Sequence, residues 1–176
     1  IVKKYINAKY REEIIFTKGA TESINLAAQT YGEKYINEGD EILITELEHH
    51  SNYVPWHFLR TKKKAVIKFA SVNKNGEVEI DEIKKLITKK TKIIALTHIS
   101  NVTGAILPIK KIVDIAKEKK IPVLVDGTQG APHLQIDMQE LGCDFYAISC
   151  HKMYGPNGLG ILYAKKKWLD ELPPYQ

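Results

Sequence analysis

The sequence predicts a mostly parallel, doubly wound α/β sheet. Two observations predict it. Near-continuous apolar runs, such as Ile93-Ile94-Ala95-Leu96 and Val123-Leu124-Val125, leave no polar side for water, as in strands covered on both faces. Between such runs, apolar residues recur at helical spacing. The chain has 176 residues, 44% of them apolar, enough for one domain with a substantial core.

Seven strands are expected, at 14–17, 41–45, 65–70, 92–97, 122–126, 144–149 and 159–164. The first is followed by Ile24, Ala27, Ala28 and Tyr31, a helical stripe. Ile83, Leu86 and Ile87 make a shorter stripe behind Asp81, read as its N-cap. Asn75-Gly76 marks a turn. Ile109, Ile112, Val113 and Ala116 form another stripe after Pro108. The last strand follows Lys152 after only a short Gly/Pro loop at 154–158, too short for a crossover helix, so it is expected to be antiparallel to its predecessor.

Composition narrows the function classes. No apolar run approaches a membrane span. Ile1-Val2-Lys3-Lys4 does not read as a signal peptide, and without an initiating methionine the chain is expected to be a piece of something longer. Cys143 and Cys150 give neither a disulfide framework nor metal-ligand spacing, which fits a reducing compartment. The net charge of +5 comes from scattered lysine clusters without interleaved aromatics, read as a solvated face rather than a nucleic-acid site.

Ligands of open α/β sheets bind beyond the carboxyl ends of the strands. Polar residues fall there repeatedly: Gly19-Ala20-Thr21, His49, Asn101, Asp126, and Ser149-Cys150-His151-Lys152. Gly19-Ala20-Thr21 opens a helix, where free N–H groups and the helix dipole favour a phosphate; a plain start capped by Thr21 reads equally well. Asp126 at the mouth of a buried strand needs a cation or several hydrogen bonds, and a protonated pyridine nitrogen would serve; it could instead cap the turn at Gly127. His49 could stack on an aromatic cofactor or move protons near neutral pH. His49 and His50 are adjacent and lack a third ligand at metal spacing, so no metal is expected. Lys152 is either a loop lysine or a Schiff-base lysine, which requires a partly desolvated pocket. The glycines between Gly155 and Gly160 precede a strand and lack both dinucleotide and P-loop spacing.

Five motifs in register carry a resemblance. They are Thr17-Lys18-Gly19-Ala20-Thr21-Glu22-Ser23-Ile24-Asn25, Glu48-His49-His50-Ser51-Asn52-Tyr53-Val54-Pro55-Trp56, Thr97-His98-Ile99-Ser100-Asn101-Val102-Thr103-Gly104, Val125-Asp126-Gly127-Thr128-Gln129 and His151-Lys152-Met153-Tyr154-Gly155-Pro156. Together they resemble the pyridoxal-phosphate-dependent cysteine desulfurases of group II, which include selenocysteine lyases, within the class V aminotransferase superfamily.

The resemblance implies a fold type I large domain over residues 1–176, with a seven-stranded, mostly parallel sheet containing one antiparallel strand. An N-terminal segment and a C-terminal small domain of the longer relatives would lie outside it. It implies that Lys152 holds pyridoxal 5'-phosphate covalently and later carries the substrate's α-proton, Asp126 pairs with the ring nitrogen and Gln129 approaches the phenolic oxygen. His49 would stack on the ring and handle the substrate thiol's proton; Thr21, Ser149, His151 and the backbone at Ala20 would bind phosphate; Asn101 would lie beside substrate and cofactor. Ala20 stands where relatives often have a second threonine, and Cys150 where glycine is usual; Cys150 is read as a packed residue rather than the sulfur acceptor.

The implied activity converts L-cysteine, or L-selenocysteine, to alanine, with sulfur passed to an enzyme cysteine as persulfide for iron–sulfur cluster assembly. A homodimer, a sulfur-acceptor protein and a cytoplasmic location, or an organelle matrix after loss of a presequence, go with it. The alternatives are a class V aminotransferase and a non-catalytic scaffold. The fragment by itself is expected to be inactive, since the relatives' substrate arginine and catalytic cysteine lie beyond Gln176.

Overall fold

A computed structural model describes residues 1–175. Seven strands form one sheet: β1 (Ile14–Thr17), β2 (Glu41–Thr45), β3 (Val66–Ala70), β4 (Thr91–Thr97), β5 (Val123–Asp126), β6 (Phe145–Ser149) and β7 (Gly160–Ala164). The helices are α1 (Val2–Tyr5), α2 (Ala20–Tyr35), α3 (Val54–Lys63), α4 (Ile80–Leu86), α5 (Ile109–Glu118), α6 (Gly130–His133), α7 (Met138–Leu141) and α8 (Lys166–Glu171). Every expected strand is present, with boundaries shifted by one residue at most.

The strand order is β1-β7-β6-β5-β4-β2-β3. β7 is antiparallel to both β6 and β1, and the remaining ladders are parallel. The short loop before β7 thus has the consequence expected of it.

The apolar runs alternate between two cores. Ile93, Ala95, Leu124, Phe145 and Ala147 face the layer of α2 and α3, where Ile24, Ala27, Ala28, Tyr31, Trp56 and Leu59 are buried. Ile94, Leu96, Val123, Val125, Tyr146 and Ile148 face the other layer, with Ile83, Ile109, Ile112, Val113 and Ala116. Side chains two apart share a face, so an unbroken apolar strand supplies both layers. Burying each large aliphatic side chain contributes about 1.5–3 kcal/mol.

Two local expectations are corrected. α4 is capped by Glu79, and Asp81 lies inside its first turn, where its charge still complements the helix dipole. α2 is capped by Gly19, so Thr21 is a helical residue rather than a cap.

One glycine fixes how β7 enters the sheet. A Cβ on Gly160 would stand 2.4 Å from the Gly19 Cα, an approach only glycine permits. The contact allows Thr17 to register with Gly160 and brings the start of α2 against the ends of β6 and β7. Gly160→Ala is expected to force backbone movement and cost about 1–3 kcal/mol or more, read as a lower urea midpoint; an unchanged midpoint would show that the close approach is not needed.

Candidate active site

The carboxyl ends of β1, β2, β4, β5 and β6 converge on one cavity of about 270 Å³. Ala20, Thr21, His49, Asn101, Asp126, Gln129, Ser149, His151 and Lys152 all line it, joined by Ser51, Thr97, Ile99 and Thr128. Larger clefts lie elsewhere, about 630 Å³ beside α2 and α3 and about 570 Å³ among lysines near α5. Size does not select the site; only the smaller cavity gathers an amine, a buried carboxylate and a helix start.

The helix start is built by hydrogen bonds at the ends of β1 and β6. Ser149 Oγ accepts from the Ala20 N–H at 2.8 Å, and Thr17 Oγ1 lies 2.8 Å from Ser23 Oγ. Ser23 is the first residue of α2 to donate its N–H to a backbone carbonyl, that of Gly19. The N–H groups of Thr21 and Glu22 belong to the unbonded first turn of a 16-residue helix, a natural anion site. Glu22 folds back to the Lys18 N–H at 2.5 Å, so its carboxylate is engaged there. Ala20 is buried, and its methyl group belongs to the core rather than the cavity rim.

Asp126 forms the floor and is only 3% exposed. Its Oδ1 accepts from the Thr128 N–H at 3.0 Å, and Ser51 Oγ lies 3.5 Å from Oδ2; neither partner is a cation. The Asp therefore does bind the turn behind Gly127, and one edge is left for a cationic ligand atom. His49 Nδ1 accepts from the Ser51 N–H at 3.2 Å, which puts the ring proton on Nε2 in the neutral form. Ser51 Oγ, 2.8 Å from the same nitrogen and 3.5 Å from Asp126 Oδ2, stands between His49 and Asp126 and can give its one proton to either.

Beneath the turn 127–130 lies a neutral platform. His98 Nδ1 and Tyr146 Oη are 2.8 Å apart, both side chains buried. A Cβ on Gly127 would enter the Tyr146 ring at 1.8 Å, so the turn rests directly on that ring. Burial pushes the His98 imidazole down to about 4 and raises the Tyr146 phenol, so both remain uncharged at neutral pH.

Lys152 lies on the 3-10 turn Cys150–Met153 and is exposed, not desolvated as a Schiff-base lysine requires. The turn runs into a loop whose Tyr154 is fully exposed, so that ring does not cover the lysine. Cys150 is half-buried and packs against the core. The residues fit pyridoxal phosphate by their chemistry: an anion site at one end, an uncompensated carboxylate at the other, and an amine at the rim. The buried Thr128 hydroxyl, which has no hydrogen-bond partner among the described residues, adds polar capacity beside them.

Ser51, Thr97 and Thr128 were not singled out from the sequence. Ser51 and Thr128 each stand two residues beyond a named site residue, a spacing by which a short polar side chain can bond back into its own turn.

A cavity at the switch-side ends of a doubly wound sheet places the chain among α/β ligand-binding domains. Its residues 1–176 match the aminotransferase class-V family throughout, and the chain belongs to that family. It is 48% identical over 175 residues to a probable cysteine desulfurase of Halalkalibacterium halodurans, covering 99% of this chain and 43% of that protein. A probable cysteine desulfurase of Staphylococcus epidermidis is 51% identical, with 99% and 42% covered. A crystal structure of an Escherichia coli cysteine desulfurase superposes with a TM-score of 0.96 at 39% identity, covering 99% of this chain and 44% of that one. The apo cysteine desulfurase of Thermococcus onnurineus gives 0.93 at 36% identity, with 99% and 43% covered. The chain thus spans less than half the length of these relatives.

The buried His98 gives a pH test. Its folded-state value, about 4, lies below the ordinary 6.5, so the unfolded chain takes up the proton first as pH falls. Stability from this group is complete above pH 6.5 and lost as pH drops towards 4, on the order of 3 kcal/mol in all. Urea unfolding across that range is expected to show a shallower pH slope in His98→Gln than in the wild type.

Proposed function

We propose that the whole protein is a pyridoxal-phosphate-dependent cysteine desulfurase and that this chain is its cofactor-binding domain. The observation that carries the reading is the convergence of Lys152, Asp126 and the α2 start on one cavity, in a chain whose relatives bear that name. Pyridoxal phosphate, when bound, supplies an electron sink for the substrate's α-carbon.

The chain's residues then have distinct tasks. Thr21, Ser149, His151 and the N–H groups of Thr21 and Glu22 hold the phosphate; the Ala20 N–H, expected from the sequence to join them, is instead bonded to Ser149 Oγ and fixes the helix start. Asp126 keeps a proton on the ring nitrogen. Gln129 and Asn101 orient ring and substrate from the adjacent loops. Lys152 anchors the cofactor and moves the α-proton. His49, beside Ser51 at the Asp126 side of the cavity, would stack on the ring and pass the substrate thiol's proton.

Sulfur leaves cysteine by attack of an enzyme thiolate on its Sγ. The C–S bond breaks, an S–S bond forms, and the products are alanine and an enzyme persulfide. Neither thiol described here suits that attack. Burial pushes Cys143 up to about 12 and raises Cys150, so both favour the unreactive thiol. Neither of them lines the cavity, so the acceptor is read as a cysteine outside the described residues. Selenocysteine as substrate, a homodimer, a downstream sulfur acceptor for iron–sulfur assembly, and a reducing compartment such as the cytoplasm extend the same reading. The free thiols of Cys143 and Cys150 support the last of these.

The test is made on the full-length protein. With pyridoxal phosphate it is expected to show the visible absorbance of a lysine-bound cofactor and to form alanine and persulfide from L-cysteine. Lys152→Ala is expected to lose that absorbance and to lower turnover by about 100-fold or more. Transamination without sulfur release would favour the aminotransferase alternative.

A further inference from the structure

β2 and β4 pair through Glu41, Ile42 and Leu43 against Thr91, Ile93 and Ile94, and the register stops there. Here the sheet changes winding direction, since β3 lies beyond β2 and β5 beyond β4. At the open end, Thr97 donates its N–H to Glu48 Oε1, at 3.0 Å, in place of a carbonyl of β2. The same oxygen accepts from Thr45 Oγ1 at 2.5 Å. The other oxygen, Oε2, accepts from Asn52 Nδ2 at 2.6 Å. Asn52 is fully buried and is itself fixed by Trp56, whose indole N–H reaches Asn52 Oδ1 at 3.1 Å.

One carboxylate thus grips both ends of the segment 45–52, which carries His49 and Ser51, and fastens it to β4. The attachment point is not arbitrary: Thr97 is in register with Asp126 on β5. A clamp at Thr97 therefore locks the histidine turn relative to the floor of the cavity.

We propose that Glu48 is a positioning residue whose carboxylate, held by Thr45, Asn52 and Thr97, sets His49 in place across the cavity from Asp126. The role in turnover rests on the cofactor reading given above; the geometric role does not.

All three groups around Glu48 are donors, so the ionised carboxylate satisfies each of them. A glutamine cannot, because its amide nitrogen would face the N–H of Asn52 or Thr97, or the Thr45 hydroxyl. The titratable groups around Glu48 are Glu46, His49, His50 and Tyr53 on its own connection and Asp126 at the end of β5. Burial, with Asp126 adding to it, raises the Glu48 carboxyl to about 7 against the pull of the three donors. Near and below that pH a proton occupies one oxygen, one donor loses its acceptor, and the clamp loosens.

The experiment uses the full-length protein with selectively labelled histidine, threonine and glutamate. In the wild type without added cofactor, the Glu48 carboxyl carbon and the Thr97 amide bonded to it are expected to shift with one shared midpoint near pH 7. In Glu48→Gln, the Thr97 amide is expected to lose that step, and the His49 resonance is expected to move or broaden at about pH 8, where the wild-type carboxylate is ionised. With pyridoxal phosphate bound, kcat for alanine formation is expected to fall about 10- to 100-fold with KM little changed. Its fall below pH 7 should vanish, and Glu48→Asp should restore part of the rate. A Thr97 amide in the wild type that ignores the Glu48 titration would overturn the proposal, with no variant needed. So would a Glu48→Gln protein with an unchanged His49 resonance, kcat and pH profile. Absence of the cofactor's visible absorbance in the wild type would instead overturn the cofactor reading and leave the resonance test standing.

Discussion

The hydrogen bond from the Ala20 N–H to Ser149 Oγ joins the two halves of the site. It ties the start of α2, where an anion is favoured, to the end of β6, from which the lysine turn departs. Separately each is an ordinary strand end or helix start. Joined at 2.8 Å, they set the spacing between a phosphate position and an amine. The bond depends in turn on the close approach of Gly19 and Gly160, because a side chain there would push α2 off the strand ends. Two glycines and a serine, none of which does chemistry, hold the geometry on which Lys152 and Thr21 rely.

Much of this was legible in the sequence. Strands buried on both faces are apolar without interruption, so Ile93-Ile94-Ala95-Leu96 declared itself, and a five-residue loop before the last strand left only an antiparallel return. The convergence of strand ends followed from the topology, and the nine residues picked from them share one cavity. What escaped were contacts that no periodicity encodes. Ser51 standing between His49 and Asp126, and Glu48 gripping Thr97, are polar side chains satisfying backbone or side-chain groups across a gap in the sheet. Local preference misplaced the cap of α2: threonine is a strong N-cap by itself, but Ser149 already serves the first N–H, leaving that position to Gly19.

Charge is distributed by depth. The layer below the cavity is kept neutral, with His98 and Tyr146 satisfying one another beneath the turn at Gly127. The floor carries the ionisable Asp126 and the rim carries Lys152. A buried, uncharged support under a carboxylate keeps water and competing charge away, which strengthens its attraction for a cation arriving from above. The exposed lysine and the buried aspartate thus meet a ligand from opposite environments.

The place of β7 between β1 and β6 has a consequence for how the chain is made. Among the described residues, β1 is an edge strand whose one neighbour in the sheet is β7. A ribosome adding about 5–20 residues per second needs roughly ten seconds or more to travel from one to the other. Throughout that interval residues 14–17 have no ladder to join, and Phe16 remains a solvent-facing aromatic on an unpaired strand. Of the strands of this sheet, β1 is thus made before the others and gains its partner only when β7 follows.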